Sequence, residues 1–161
     1  MALNRERPHL LVLPEDDATR SIANGFVDAA TGPMQVLNPA RGWPNVLHQF
    51  ETDQISQLRK YRHQHLVLLI DFDDQYPARL GQFQNAMPGD VQDRVYVLGA
   101  LTEAETLKRE SGKKFGPLGQ ALAQACAADD DGLWTIGQLM HNKDEIQRLK
   151  TNVKPFLFPV P

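Results

Sequence analysis

The sequence is short of the residues that staple a fold or carry it across a bilayer. It has one cysteine, Cys126, in 161 residues, so no disulfide framework is possible. Cys126 lies in the Ala-rich segment Leu122–Ala128 and reads as a small buried apolar residue. No apolar run approaches the roughly 20 residues of a membrane span, and the polar, mixed-charge stretch Met1–Pro8 is unlike a secretory leader. Positive charge is not in excess. A formal net charge of -3 excludes a stand-alone basic nucleic-acid binder, so a nucleic-acid substrate would need a local patch or a partner. The phosphate-cradling pattern G-x-x-x-x-G-K-[ST] is missing, as are internal repeats, low-complexity tracts and an interdomain linker. With 42% hydrophobic and 23% charged residues, the composition is that of a soluble globular domain. Together these features predict one cytoplasmic domain spanning 1–161, with a core over about residues 8–110 and a helical extension over about 111–161.

What is present is organised around His65–Asp74. Leu66-Val-Leu-Leu-Ile70 is apolar throughout, the mark of a strand covered on both faces. It stops on Asp71-Phe-Asp-Asp74. Alternation along a strand sends Asp71 and Asp73 one way and Phe72 the other. Carboxylates at the carboxyl end of a buried strand stand where open α/β sheets hold ligands, and a cation relieves their repulsion. The competing reading makes Asp71 a helix cap and Asp73 and Asp74 solvated turn residues.

A second apolar run, His9–Leu13, ends on Pro14 and Glu15. The apolar spacing of Ala18, Ile22, Phe26, Val27 and Ala30 predicts an amphipathic helix, with Asp16 or Asp17 as its N-cap. Capping accounts for those two acids but not for Glu15. Met34–Leu37 reads as a short strand. In the turn-rich loop Asn38–Asn45, Arg41 is a candidate phosphate ligand, and Trp43 packs the loop onto the body. Val46–Tyr61 and Gln75–Met87 read as helices, Arg94–Leu98 as a strand, and His63 and His65 as surface residues. Thr102 and Glu105 have the spacing of a capping box; alternatively Glu103 or Glu105 is a further metal ligand past a strand end. Lys113 and Lys114 form a basic loop before the helix Phe115–Ala128. Asp129-Asp-Asp-Gly132 reads as a solvated turn, and Leu133–Met140 as a short helix. Asn142 and Glu145 suggest a second capping box opening the helix Lys143–Thr151, with His141 a packing residue ahead of it. Pro155–Phe158 reads as a terminal strand or plug.

Strands alternating with helices predict a mostly parallel, doubly wound four-stranded α/β sheet with helices on both faces, followed by C-terminal helices. Neighbouring strands lie about 4.8 Å apart. If the first and third strands are neighbours, Glu15, Asp71 and Asp73 come within one cation's reach, an oxygen-donor set suited to Mg²⁺ or Mn²⁺.

The pair of motifs Leu13-Pro-Glu15-Asp-Asp17 and Leu69-Ile-Asp71-Phe-Asp73 resembles the Toprim domain, the catalytic core of topoisomerases, bacterial primases and the nucleases associated with ABC-type ATPases in phage defence. Leu101–Leu107 resembles the third acidic motif of the nuclease-type branch. The resemblance covers about residues 8–110. It implies Glu15 as general acid/base or metal ligand, Asp71 and Asp73 as metal ligands, and Glu103 or Glu105 as ligand of a second metal. It implies nucleic acid as substrate, with Arg41, Lys113 and Lys114 as candidate contacts, and a separate ATPase partner. Pro14 and Asp16 flank Glu15 where many members carry a small Gly, and no topoisomerase-type tyrosine can be assigned. Two rival readings remain. One is a haloacid-dehalogenase-like phosphatase with Asp71 as nucleophile, Asp73 as general acid, and Lys108 and Asp129–Asp130 following in order. The other is a non-catalytic α/β subunit that binds a protein partner.

Overall fold

The computed structural model describes residues 3–160, so the first two residues of the polar stretch Met1–Pro8 lie outside the described residues. Four strands, β1 (His9–Pro14), β2 (Met34–Val36), β3 (Gln64–Leu69) and β4 (Val95–Leu98), form one sheet in the order β2-β1-β3-β4. Every pairing is parallel. The fold is α/β, consistent with a Rossmann- or Toprim-like architecture. No helix among the described residues is long and apolar enough to cross a membrane.

The uninterrupted apolar runs are explained by layers on both faces. Leu11, Leu13, Leu66, Leu68, Val95 and Val97 pack with Val46, Phe50, Leu58 and Phe83. Those four come from α2 (Trp43–Gln49), a π-helical turn (Phe50–Gln54), α3 (Ile55–Lys60) and α4 (Tyr76–Ala86). The alternate residues Leu10, Val12, Val67, Tyr96 and Leu98 face α1 (Asp17–Ala29), α7 (Lys143–Asn152) and α8 (Lys154–Leu157). A third cluster joins α1 to α5 (Ala104–Ser111) and α6 (Phe115–Ala128). α1 and α6 cross at backbone contact: a Cβ at Gly119 would lie 1.9 Å from the Ile22 carbonyl oxygen.

Several expectations are corrected. The helix expected over Val46–Tyr61 starts at Trp43, because Pro44 suits a first turn, and a π-helical turn interrupts it. Leu133–Met140 is not a helix but two 3-10 turns, Leu133–Thr135 and Met140–Asn142. Between them Gln138 is drawn to the Leu101–Thr102 loop: its carbonyl accepts from the Leu101 N–H at 2.9 Å and its Oε1 from the Thr102 N–H at 2.9 Å. Neither expected capping box forms. Glu103, not Thr102, precedes α5, and the Thr102 hydroxyl donates to Asp74. Glu145 instead accepts from the Val97 N–H at 2.8 Å, while Arg148 donates to the Val95 carbonyl at 3.2 Å. These two side chains satisfy the outer edge of β4, an exposed edge being a pairing hazard. His65 is half-buried between Tyr96 and Phe156 rather than on the surface, and burial, reinforced by the Arg94 charge, pushes its imidazole down to about 4. Pro155–Phe158 is the short helix α8 with its tail, and the Leu157 carbonyl accepts from Thr31 and Gly32.

Gly99, just past β4, fixes the backbone beside the last apolar residue before Asp71. A Cβ there would meet the Ile70 carbonyl oxygen at 1.5 Å, and the Gly99 carbonyl takes bonds from His141 Nε2 at 2.8 Å and Asn142 Nδ2 at 3.0 Å. Gly99→Ala is therefore expected to lose roughly 3 kcal/mol or more, by forced backbone displacement. Urea unfolding measures this, and a loss within about 0.5 kcal/mol, the range of a neutral surface change, would contradict the close approach.

Candidate metal centre

In the order β2-β1-β3-β4 the chain leaves β1 toward one side and later places β3 on the other. The carboxyl ends of β1 and β3 therefore border the point where strand order reverses, and ligands of open α/β sheets enter there. The register pairs Pro14 with Leu69, so Glu15 and Asp16 run level with Ile70 and Asp71. The Glu15 N–H donates to the Leu69 carbonyl at 2.9 Å, and its carbonyl accepts from the N–H groups of Arg41 and Gly42 at 2.8 and 3.2 Å. The main chain of Glu15 is thus held from both sides.

Glu15, Asp16 and Asp71 each offer a carboxylate oxygen, and these atoms lie within 4.8 Å of one another. Glu15 and Asp71 keep only 8% and 7% of their exposure. One oxygen of each, Glu15 Oε1 and Asp71 Oδ1, is buried without a hydrogen-bond partner. Asp16 serves twice. As N-cap of α1 its Oδ1 accepts from the N–H and hydroxyl of Thr19 at 2.9 and 3.0 Å, leaving Oδ2 outside the cap. An unpaired buried acceptor is costly, and three hard oxygen donors converging at this spacing fit a small divalent cation. The donor set suits Mg²⁺ or Mn²⁺.

The electrostatics follow from this crowding. Burial, then the charges of Asp71, Asp16 and Asp73, push the Glu15 carboxyl up to about 8. Burial, then Asp16 and Asp73, push Asp71 up to about 7, against a lowering by the Ala104 N–H. Elsewhere, burial lowers His141, whose ring packs on Phe72 and Tyr76.

The structure brings Glu15 and Asp71 together but turns Asp73 aside. Asp73 and Asp74 both have left-handed backbone, φ 50° and 59°, uncommon outside glycine. Their N–H groups bond the Thr102 and Leu101 carbonyls, both at 2.9 Å. The Asp73 carboxylate is exposed and pairs with Arg79 of α4. Glu103 is exposed at the start of α5, where its charge reaches Asp71. Glu105 is exposed within the first turn of α5, outside the cluster. Arg41 pairs with exposed Asp17 on the rim at 3.2 Å. Lys113 and Lys114 are exposed between α5 and α6 and take no ion-pair partner among the described residues. Asp129 and Asp131 lie exposed in a solvated turn, as expected, and pair there with Lys150 and Lys154.

Sequence reasoning missed two participants. Asp16 was absorbed by its cap, although the parallel register sets it level with Asp71. Arg79 carried one overlooked signal: it is the only charged residue in α4. Compared with known proteins, the chain matches no family model, no curated protein and no solved structure.

The raised carboxyls set a sign for stability. Folded Glu15 and Asp71 hold protons that the unfolded chain releases above its ordinary values of 4.5 and 3.8. Between those values and about 8 and 7 the folded state binds more protons, so stability falls as pH rises. With chelator present, the melting temperature is expected to be higher at about pH 5.5 than at about pH 8, by roughly 4 °C or more. Glu15→Gln is expected to raise the melting temperature at the higher pH and flatten the profile. A wild-type profile rising with pH, or a variant less stable at the higher pH, would contradict this assignment.

Proposed function

We propose that the chain is a Toprim-like, Mg²⁺- or Mn²⁺-dependent phosphodiesterase: a nuclease, or the nuclease subunit of an anti-phage system with a separate ATPase partner. One observation carries the reading: two buried carboxylates with partnerless oxygens, supplied by separate strands, meet at the reversal of strand order. Glu15, Asp16 and Asp71 would hold the cation. A divalent cation supplies charge neutralisation for a phosphoryl displacement and lowers the pKa of a bound water. Burial inclines Glu15 to hold a proton in the absence of an ion, and on binding one Glu15 would release that proton and serve as a ligand. The absence of a phosphate-cradling loop and the net charge of -3 support dependence on a partner for ATP and for much of the nucleic-acid contact.

The haloacid-dehalogenase-like alternative asks for a free Asp73 as general acid and a strand-end position for Asp129–Asp130. Asp73 is instead paired with Arg79, and Asp129 follows α6. These placements weigh against the phosphatase reading, and the first also removes Asp73 from the metal set that the Toprim resemblance implies.

Mn²⁺ or Mg²⁺ at millimolar concentration is expected to raise the melting temperature by roughly 2–8 °C, as binding to the folded state alone requires, and Asp71→Asn should abolish the shift. Incubation with plasmid and with a chromogenic phosphate monoester then separates the reactions. Cleavage of plasmid supports the proposal. Turnover of the monoester alone would favour a phosphatase, and an unchanged metal shift in Asp71→Asn would remove the centre altogether.

A further inference from the structure

Arg79 is placed unlike the other cations of this end of the sheet. Its side chain retains 11% of its exposure, and its guanidinium lies over the Trp43 ring at 4.4 Å. Trp43 in turn rests on the fully buried Phe83, with ring centroids 6.3 Å apart. Both hydrogen bonds of Arg79 leave from Nη1, one to the Asp71 carbonyl at 3.1 Å and one to the Asp73 carboxylate. Nε is buried without a partner. The pairing with Asp73 runs through one nitrogen and leaves the rest of the guanidinium fork unused by that carboxylate. The anion it holds is the exposed member of the pair, with 54% of the Asp73 side chain in solvent. The carboxylate is thus the side of the pair that an incoming anion reaches, while the guanidinium stays seated on Trp43.

The surroundings define that anion. Glu15, Asp16, Asp71 and Asp73 make the crevice acidic, and Arg79 is the cation whose field reaches Glu15. Stacking on Trp43 fixes the guanidinium plane before any ligand arrives, which reduces the ordering cost of a planar contact. Arg41 has neither property: it is 66% exposed and tied to Asp17.

We propose that Arg79 is the phosphate-binding arm of this centre, with Asp73 as the resting counter-ion that a non-bridging phosphate oxygen of the substrate displaces. The inference rests on the phosphodiesterase reading above and extends it: Asp73 serves as a place-holder for substrate rather than as a metal ligand. Arg79 binds and positions, as a donor only.

The test uses the full chain as wild type, Arg79→Met and Arg79→Lys, each checked for cooperative thermal unfolding. Calorimetry gives the Mn²⁺ affinity. Fluorescence anisotropy of a labelled short single-stranded DNA, in Ca²⁺ to slow cleavage and at one fixed ionic strength, gives the phosphodiester affinity. Inorganic phosphate serves as competitor. Arg79→Met is expected to keep Mn²⁺ affinity within about threefold and to lose about tenfold or more in DNA affinity, the scale of one charge-assisted contact. Arg79→Lys should recover part of that loss, and phosphate should compete with DNA only when residue 79 is cationic. DNA affinity unchanged in Arg79→Met with Mn²⁺ binding intact would overturn this inference alone. A parallel loss of Mn²⁺ and DNA in both variants would also overturn it, making Arg79 a brace for the Asp71 turn. A wild type that binds no Mn²⁺ would overturn the metal reading itself, before any variant is compared.

Discussion

Two carboxyl groups taken out of water side by side are the constraint on which the rest of this structure turns. Burying a polar group without a partner is unfavourable, and burying a charge is far more so. Glu15 and Asp71 are nonetheless placed side by side with oxygens that bond nothing. The chain offsets that cost locally. It raises both groups toward their protonated forms, and it sets the one buried-side arginine of α4 close enough to act on Glu15. Crowded hard oxygens of this kind are the ordinary ligands of a cation, which is the completion proposed above.

The scaffold spends its rigidity on keeping those groups in place. Parallel pairing of β1 with β3 sets the register, and Gly99 admits the Ile70 carbonyl at a distance no side chain tolerates. His141 and Asn142 tie the Gly99 carbonyl to the start of α7. The bonds from Asp73 and Asp74 to the Leu101–Thr102 loop hold two consecutive left-handed residues. Gln138 in turn secures that loop through Thr102. Left-handed non-glycine backbone persists where its surroundings over-determine it, and it concentrates at functional sites.

Much of this was legible in the residues. Uninterrupted apolar runs at Leu10–Leu13 and Leu66–Ile70 reported burial on both faces, and their acidic ends located the crevice. The acids' exact division of labour was not legible, because it depends on the backbone beyond the strand. Strict alternation would send Asp71 and Asp73 the same way, but the turn at Asp73 enters left-handed space and delivers its carboxylate to Arg79. Asp16 has a local role that hides its long-range one. His65 looked like a surface residue because nothing nearby in sequence shows that Tyr96 and Phe156 close over it. Asn142 and Glu145 matched a capping box, yet their partners are Gly99 and Val97 of the neighbouring strand end. In each case a long-range bond outweighed the local pattern.

Diffraction reads the convergence of Glu15, Asp16 and Asp71 on one ion directly. Crystals grown or soaked with Mn²⁺ and measured at its absorption edge should show an anomalous peak bounded by oxygens of Glu15, Asp16 and Asp71, within coordination distance of each direct ligand. A structure at saturating Mn²⁺ with no ion among the carboxylates of Glu15, Asp16 and Asp71 would contradict it.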